Sequence, residues 1–418
     1  MLNPKDKKNL LIFLLISFLL LVIPIIPVKG HNLKLHWPTD EWIIVEPEEQ
    51  GLDSNSISDM YEYIEDHSLD VHSVIIVRNG YIISEEYLHN SQIRDVKEYY
   101  GGSTHHVQYS TTKSLTALII GIAIDKGYLS NINQTLYEFF ADVWDPTYDD
   151  RKKNITIEQL LTHNSGLPNS ANAAYPPGST VWTDSVEWAL DDLPLVFTPG
   201  QTGAFEYSND GVNLLTAIIN NVTSNNAAAF AKQYLFEPMG ITDEEWNWWQ
   251  DSNNNSFGGY GFECSPRVQA KIGMICLNNG TWNGTQLISS EWIRETTTYK
   301  IDHRWFNIGG GKLYDYGYLF YTNDLYNGYH TYGLGGQFIF VIPDYNITIG
   351  FTGSGLDSNL NQVDQYYRHM IDTYILQFTT DNGPGDLIPG FPIMAMILIA
   401  VIGIGMYSRI MKKEIRNY

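Results

Sequence analysis

Two short clusters have the residue types and spacing of a nucleophilic site. In Gln108-Tyr109-Ser110-Thr111-Thr112-Lys113-Ser114-Leu115, Ser110 and Lys113 stand three apart. At the first turn of a helix this spacing puts both side chains on one face. An amine then lies within reach of a hydroxyl, the arrangement that activates a serine. The run Leu115 to Ile124 is apolar nearly all round and predicts a buried helix. A buried helix start would hold Ser110 rigidly and aim free backbone N–H groups at developing negative charge. Desolvation would disfavour the charged form of Lys113 and leave it a neutral base near neutral pH. Taken alone, the tetrad also fits a solvated helix start.

The second cluster is Glu206-Tyr207-Ser208-Asn209-Asp210-Gly211, preceded by Pro199-Gly200. In an extended segment Tyr207 and Asn209 point the same way. A phenol beside Lys113 can relay a proton to a leaving group, and a carboxamide can orient the lysine or a substrate amide. A further glycine-rich stretch, Thr331-Tyr332-Gly333-Leu334-Gly335-Gly336-Gln337, leads into an apolar strand at Phe338. Its glycines would admit a substrate close to an edge strand. A backbone N–H there would complete an oxyanion hole with that of Ser110. Gly333 and Leu334 are the substrate-binding candidates of this stretch; a plain glycine-rich strand entry is the structural alternative.

The elements that must position these residues follow from pattern. A helix is predicted over Ser54 to His67. The runs 74–77 and 81–87, joined through Asn79-Gly80, predict a hairpin. Helical pieces are predicted over Thr156 to His163, Val186 to Leu190, Gly211 to Val222, Ala227 to Phe236 and Arg267 to Leu277. A second hairpin joins 338–342 to 347–352 through Pro343-Asp344, and a last helix covers Gln362 to Phe378. Strands thus sit at both ends and helices in the middle. The expected fold class is α+β: one antiparallel sheet formed by both ends and covered by the terminal helices. A mainly helical domain is inserted at about 111–300, with the site between the two.

Composition bounds the rest. The 418 residues carry a formal net charge of −22, which excludes a general nucleic-acid binder. Apolar runs at 10–28 and 388–407 are each long enough to span a bilayer at roughly 20 residues. Lys5, Lys7 and Lys8 precede the first, and Arg409, Lys412, Lys413 and Arg416 follow the second, so both outer ends should be cytoplasmic. The organisation expected is a signal peptide or anchor at 1–30 and a catalytic domain at 31–380. A linker at 381–387, a transmembrane helix at 388–407 and a basic tail at 408–418 complete it. The domain would then lie outside the cell, and sequons at Asn133, Asn154, Asn221, Asn254, Asn279, Asn283 and Asn346 suit a glycoprotein. Cys264 and Cys276 flank a helical stretch that would hold them about 18 Å apart, so both read as free buried thiols with no metal site.

As a set, the motifs resemble the serine β-lactamase-like family, which includes class C β-lactamases, D-Ala-D-Ala carboxypeptidases, esterases and 6-aminohexanoate-dimer hydrolases. The resemblance spans about Leu69 to Phe378. Val77-Arg78-Asn79-Gly80 looks like the family's first hairpin, and Ser110-x-x-Lys113 is its nucleophile motif. The segment Ile157 to Pro168, containing His163-Asn164-Ser165-Gly166, is similar to its signature loop. Tyr207-Ser208-Asn209 matches the second catalytic motif; Gly258-Gly259 and Gly280 to Trp292 also match. The resemblance implies Ser110 as nucleophile, Lys113 as base, Tyr207 as proton shuttle, Asn209 as support and His163 as structural, with no metal or organic cofactor. The third motif departs from it. Many relatives carry Lys-Thr-Gly or His-Thr-Gly; here either Thr331-Tyr332-Gly333 stands in that place, or His330-Thr331-Tyr332, which lacks the glycine. The function expected is a membrane-anchored, outward-facing serine hydrolase of a small amide or ester, 6-aminohexanoate-dimer hydrolase or esterase-like. The rival readings are a D-Ala-D-Ala carboxypeptidase or β-lactamase, and a non-catalytic anchored binding module.

Overall fold

The computed structural model describes residues 35–88, 105–169, 184–308, 312–322, 327–353, 360–377 and 379. The apolar runs at 10–28 and 388–407, the linker and the basic tail lie outside the described residues. Among the described residues no helix is long and apolar enough to cross a membrane.

Helix α1 (Ser54–Asp66) starts at Asp53, whose side chain accepts the Asn55 N–H, and buries Ile57, Met60 and Ile64 along one stripe. Strands β1 (Val71–Arg78) and β2 (Tyr81–Tyr87) follow. They turn through Asn79 and Gly80, both at positive φ (52° and 82°), as a two-residue hairpin with the native strand twist requires. Two long helices of the insert carry most of the site: α2 (Thr112–Asp125) and α3 (Asn209–Thr223). Helix α4 (Pro266–Leu277) then packs on the sheet. The chain returns through β3 (Ile301–Ile308), β4 (Lys312–Tyr316), β5 (Tyr321–Thr322), β6 (Tyr329–Gly333), β7 (Gln337–Ile342) and β8 (Ile347–Gly353). Helix α5 (Leu360–Met370) runs on into a wider final turn, Ile371–Leu376.

The sheet has eight strands in the order β2-β1-β8-β7-β6-β5-β4-β3, every pair antiparallel. It is built from both ends of the described chain around a mainly helical insert, as the pattern of runs predicts. Because side chains alternate across a strand, β1 feeds two cores. Ile75 and Val77 join α2 and α3 on the insert side; Val74 and Ile76 join α1 and the final helical turns on the other. Helix α2 is buried on all sides, with every residue from Leu115 to Ala123 inaccessible.

The sequence pattern does not show β3, β4 and β5, nor a three-stranded sheet of His106–Val107, Phe262–Cys264 and Trp246–Trp248. Strand β5 and the strands of this small sheet, of two or three residues each, are too short to show alternation. Cys264 lies on one of these strands and Cys276 in α4; both are free and buried, as expected.

Candidate active site

A tight turn, Tyr109–Thr111, precedes α2 and presents Ser110. Tyr109 takes a left-handed φ of 44°, a conformation that costs a side chain with a Cβ about 1–3 kcal/mol. Buried Gln108 holds the turn. Its N–H donates to Phe262 O at 2.8 Å and its carbonyl accepts the Thr111 N–H at 3.1 Å. Its side chain donates to His106 O at 2.9 Å and accepts from Gln269 Nε2 at 2.7 Å. Ser110 therefore sits in the turn that leads into α2, at the helix start where backbone donors have no partner within the helix.

Lys113, one turn on, is 1 % exposed. Its Nζ lies 3.3 Å from Ser110 Oγ, 2.6 Å from Gly259 O and in close contact with Asn209 Oδ1. Burial holds its pKa well below the ordinary lysine range, and the carboxylate of Asp210 opposes that shift. A neutral amine has two hydrogens and one lone pair. Gly259 O and Asn209 Oδ1 can only accept, so they take both hydrogens. The lone pair is left for Ser110, whose hydroxyl then donates to the amine. Once the amine is neutral, the geometry therefore leaves one proton arrangement, with serine as donor and lysine as acceptor; the charged amine donates to Ser110 Oγ instead.

Tyr207 completes the cluster. Lys113 Nζ stands 4.5 Å from the centre of its ring, and its phenol is hydrogen-bonded to Ser110. Burial raises the Tyr207 pKa against that bond, so the phenol is a neutral O–H donor at neutral pH. Asn209 reaches Lys113 by a different route from the extended segment expected. Ser208 is extended (φ −138°) and caps α3 by accepting the Gly211 N–H, which makes Asn209 the first helical residue. The Asn209 N–H donates to Asn169 Oδ1 at 3.1 Å.

In the third motif, Thr331 faces the helix start. Thr111 Oγ1 donates to Gln337 O at 3.1 Å, so in the 3.2 Å pair between the two threonines Thr331 is the donor. Thr331 Oγ1 also accepts the Ile339 N–H at 3.0 Å. Gly333 lies on the same side, where an added Cβ would come within 2.3 Å of Gln108 O. His330 alternates to the other side. It is 2 % exposed and stacks on Phe340 at 5.1 Å, within the face that packs on the terminal helices. The Thr331-Tyr332-Gly333 alignment is therefore the one that meets Ser110. Leu334, 42 % exposed, opens the turn into β7, with Gly335 and Gly336 both at positive φ. Strand β6 is not an edge strand in the sheet order, yet β5 pairs with it only at Tyr321↔His330.

The structure thus brings Ser110, Lys113, Tyr207 and Asn209 together and sets Gly333 against the segment that carries Ser110. It adds Gly259, which the sequence offered only as part of a matching Gly-Gly pair. The Gly258-Gly259 strip lies between α2 and α3. Gly258 O accepts from Thr116 Oγ1 at 2.9 Å, and the Gly259 N–H donates to Asn213 Oδ1 at 3.0 Å. A Cβ on Gly259 would meet the Asn209 backbone and side chain at 3.0 Å, so any larger residue would press on the segment that carries Asn209.

The chain is similar to several known proteins. Protein flp of Staphylococcus aureus is 27 % identical over 203 residues, covering 48 % of this chain and 39 % of flp. The chain thus matches well under half the length of that relative. The 6-aminohexanoate-dimer hydrolase of Paenarthrobacter ureafaciens is 20 % identical over 248 residues, 57 % of this chain and 59 % of the hydrolase. Among solved structures, a family VIII carboxylesterase superposes with a TM-score of 0.58 at 16 % identity, covering 78 % of this chain and 99 % of the esterase; that likeness is one of fold. The family model described as Beta-lactamase matches residues 60–370, the span that holds Ser110, Lys113, Tyr207 and the third motif, and the chain belongs to that family.

Proposed function

We propose that this chain is a serine hydrolase that cleaves a neutral ester or amide through an acyl-enzyme on Ser110. The observation that carries this reading is the buried Lys113 Nζ, held by the acceptors Gly259 O and Asn209 Oδ1 and 3.3 Å from Ser110 Oγ. In acylation, Ser110 Oγ bonds to the substrate carbonyl carbon and its proton passes to Lys113. The carbonyl oxygen takes the electron pair, opposite the Ser110 N–H and an N–H of the turn near Leu334. Collapse expels the alcohol or amine, which takes the Tyr207 proton; Tyr207 regains one from Lys113. Water then repeats the sequence on the acyl-enzyme and releases the acid.

Neutral substrates are favoured because the place of the family's usual cation is held by Thr331, already committed to Thr111 and Ile339. A substrate carboxylate buried there would lack a paired charge, at a cost of several kcal/mol. The names of two relatives, a carboxylesterase and a 6-aminohexanoate-dimer hydrolase, agree with ester or amide cleavage. We also propose the anchored, outward-facing placement. Its support is the two flanked apolar runs and the sequons, six of which lie at exposed asparagines while Asn346 is half-buried. A fluorophosphonate probe tests the chemistry: it should label the wild type and not Ser110→Ala, and Lys113→Ala should slow labelling by about 10²–10⁴. Labelling that persists in Ser110→Ala overturns the assignment. A D-Ala-D-Ala peptide turned over faster than a simple aryl ester would restore the carboxypeptidase reading.

A further inference from the structure

We propose that His163 is a positioning residue: a two-point clamp that aims Tyr207 and Asn209 at Lys113 and Ser110. The proposal rests on the acyl-transfer reading above. His163 accepts two bonds from the second motif. Its carbonyl takes the Glu206 N–H at 2.9 Å, and its ring Nδ1 takes the Ser208 N–H at 3.2 Å. One residue thus supplies two acceptors to donors two positions apart, which a neighbouring strand would normally supply. Its left-handed backbone, φ 55°, accompanies this geometry.

The clamp acts on the residue between the two functional side chains. Ser208 is fixed further through Oγ, which donates to Pro168 O and accepts the Gly211 N–H, both at 2.9 Å. Its neighbours Tyr207 and Asn209 carry the groups that reach Ser110 and Lys113. The imidazole also lies 4.7 Å from the Tyr207 ring, backed by Tyr316 at 5.8 Å and Phe205 at 5.5 Å. An amide N–H can only donate, so Nδ1 must be bare and the ring proton must sit on Nε2. His163 is 1 % exposed, out of reach of a substrate, so its effect passes through the residues it holds.

Two variants separate positioning from support. His163→Gly keeps the left-handed backbone and removes the ring acceptor. His163→Asn tolerates the same φ and returns an acceptor near the position of Nδ1. His163→Gly should lose about ten- to a hundredfold in acylation rate and kcat with KM within about threefold, and His163→Asn should recover most of the loss. A merely structural histidine would lower Tm in both and leave acylation per folded molecule unchanged. Folded His163→Gly that acylates at the wild-type rate, or His163→Asn no better than His163→Gly, overturns the proposal. Should the glycine variant not fold, the ¹⁵N shifts of the wild-type ring decide: a bare, hydrogen-bonded Nδ1 supports the clamp and a protonated Nδ1 overturns it. Failure of the probe to label wild type would instead strike the acyl-transfer reading, and the ring measurement would still report on the clamp.

Discussion

The Lys113 amine has three polar neighbours, and their identity decides what it does. In the neutral amine that burial favours, two pure acceptors leave only a lone pair for Ser110, while the nearby Asp210, 4 % exposed, works to keep it charged. Burial chiefly lowers the pH at which the base becomes available, and the carboxylate pulls it part of the way back. Asp210→Asn removes the charge that raises the lysine pKa, so the acid limb of the kcat/KM profile should move to lower pH. A limb that stays in place, measured on a neutral ester, would show that another group controls it. Residue spacing made part of this legible: Ser110 and Lys113 are neighbours in one turn, and Tyr207 and Asn209 are two apart. The Gly259 carbonyl was not legible as a ligand, because a backbone oxygen has no residue type to announce it. It became visible only when α2 and α3 closed on the strip between them.

Elements set those residues at working distance, and β6 comes close to the Gln108–Ser110 turn. Gly333→Ala would put a Cβ 2.3 Å from Gln108 O, and neither partner is a flexible side-chain end. The strand and the helix start must separate, so we expect a loss of about 1–3 kcal/mol together with a fall in acylation rate. Thermal unfolding and probe kinetics on the same preparation check both; a variant with unchanged Tm and unchanged labelling would contradict the close approach. Both hairpins and the long helices were readable because their signals are local: Asn79-Gly80 between β-rich runs, or an apolar stretch such as Leu115 to Ile124. Strands β3 to β5 were not, since their polar, charged and aromatic residues, such as Asp302-His303-Arg304 in β3 and Lys312 and Asp315 in β4, show no apolar alternation and pairing partners hold them in place. The parity of β6 was partly readable. Alternation placed His330 and Thr331 on opposite faces, but which face meets Ser110 depends on β7 and its partners.

Across the whole molecule, the sheet and the nucleophile segment meet at a buried histidine pair. His72 of β1 and His106, four residues before Ser110, are joined Nδ1 to Nε2 at 3.0 Å. His106 Nδ1 donates to Val107 O at 3.0 Å, which leaves its Nε2 to accept from His72. Burial, with a smaller push from His72, lowers the His106 pKa to about 4. The unfolded chain would take up that proton near pH 6.5. The contribution is therefore fully present above about pH 6.5 and is lost as pH falls to about 4, amounting to about 3 kcal/mol. Denaturant unfolding of the wild type between pH 7 and 4 should show this slope, and His106→Gln should flatten it. Equal slopes in the two proteins would rule the histidine out as its source.

The interleaving of the two chain ends also has a consequence in time. Strand β1 is flanked by β2 on one edge and β8 on the other, and the Ser73–Thr352 hydroxyl contact that joins β1 to β8 spans 279 residues. At about 5–20 residues per second a ribosome takes roughly 15–55 s to make the missing partner. For that interval the Val74-Ile75-Ile76-Val77 run has one unpaired edge and two apolar faces with no sheet to join. Such an edge invites pairing with other chains, so the nascent protein depends on being shielded until its last strands emerge. The insert that carries Lys113 is complete well before then, but the strand that brings Gly333 to Ser110 arrives near the end. The nucleophile is thus made early and its cleft is closed last.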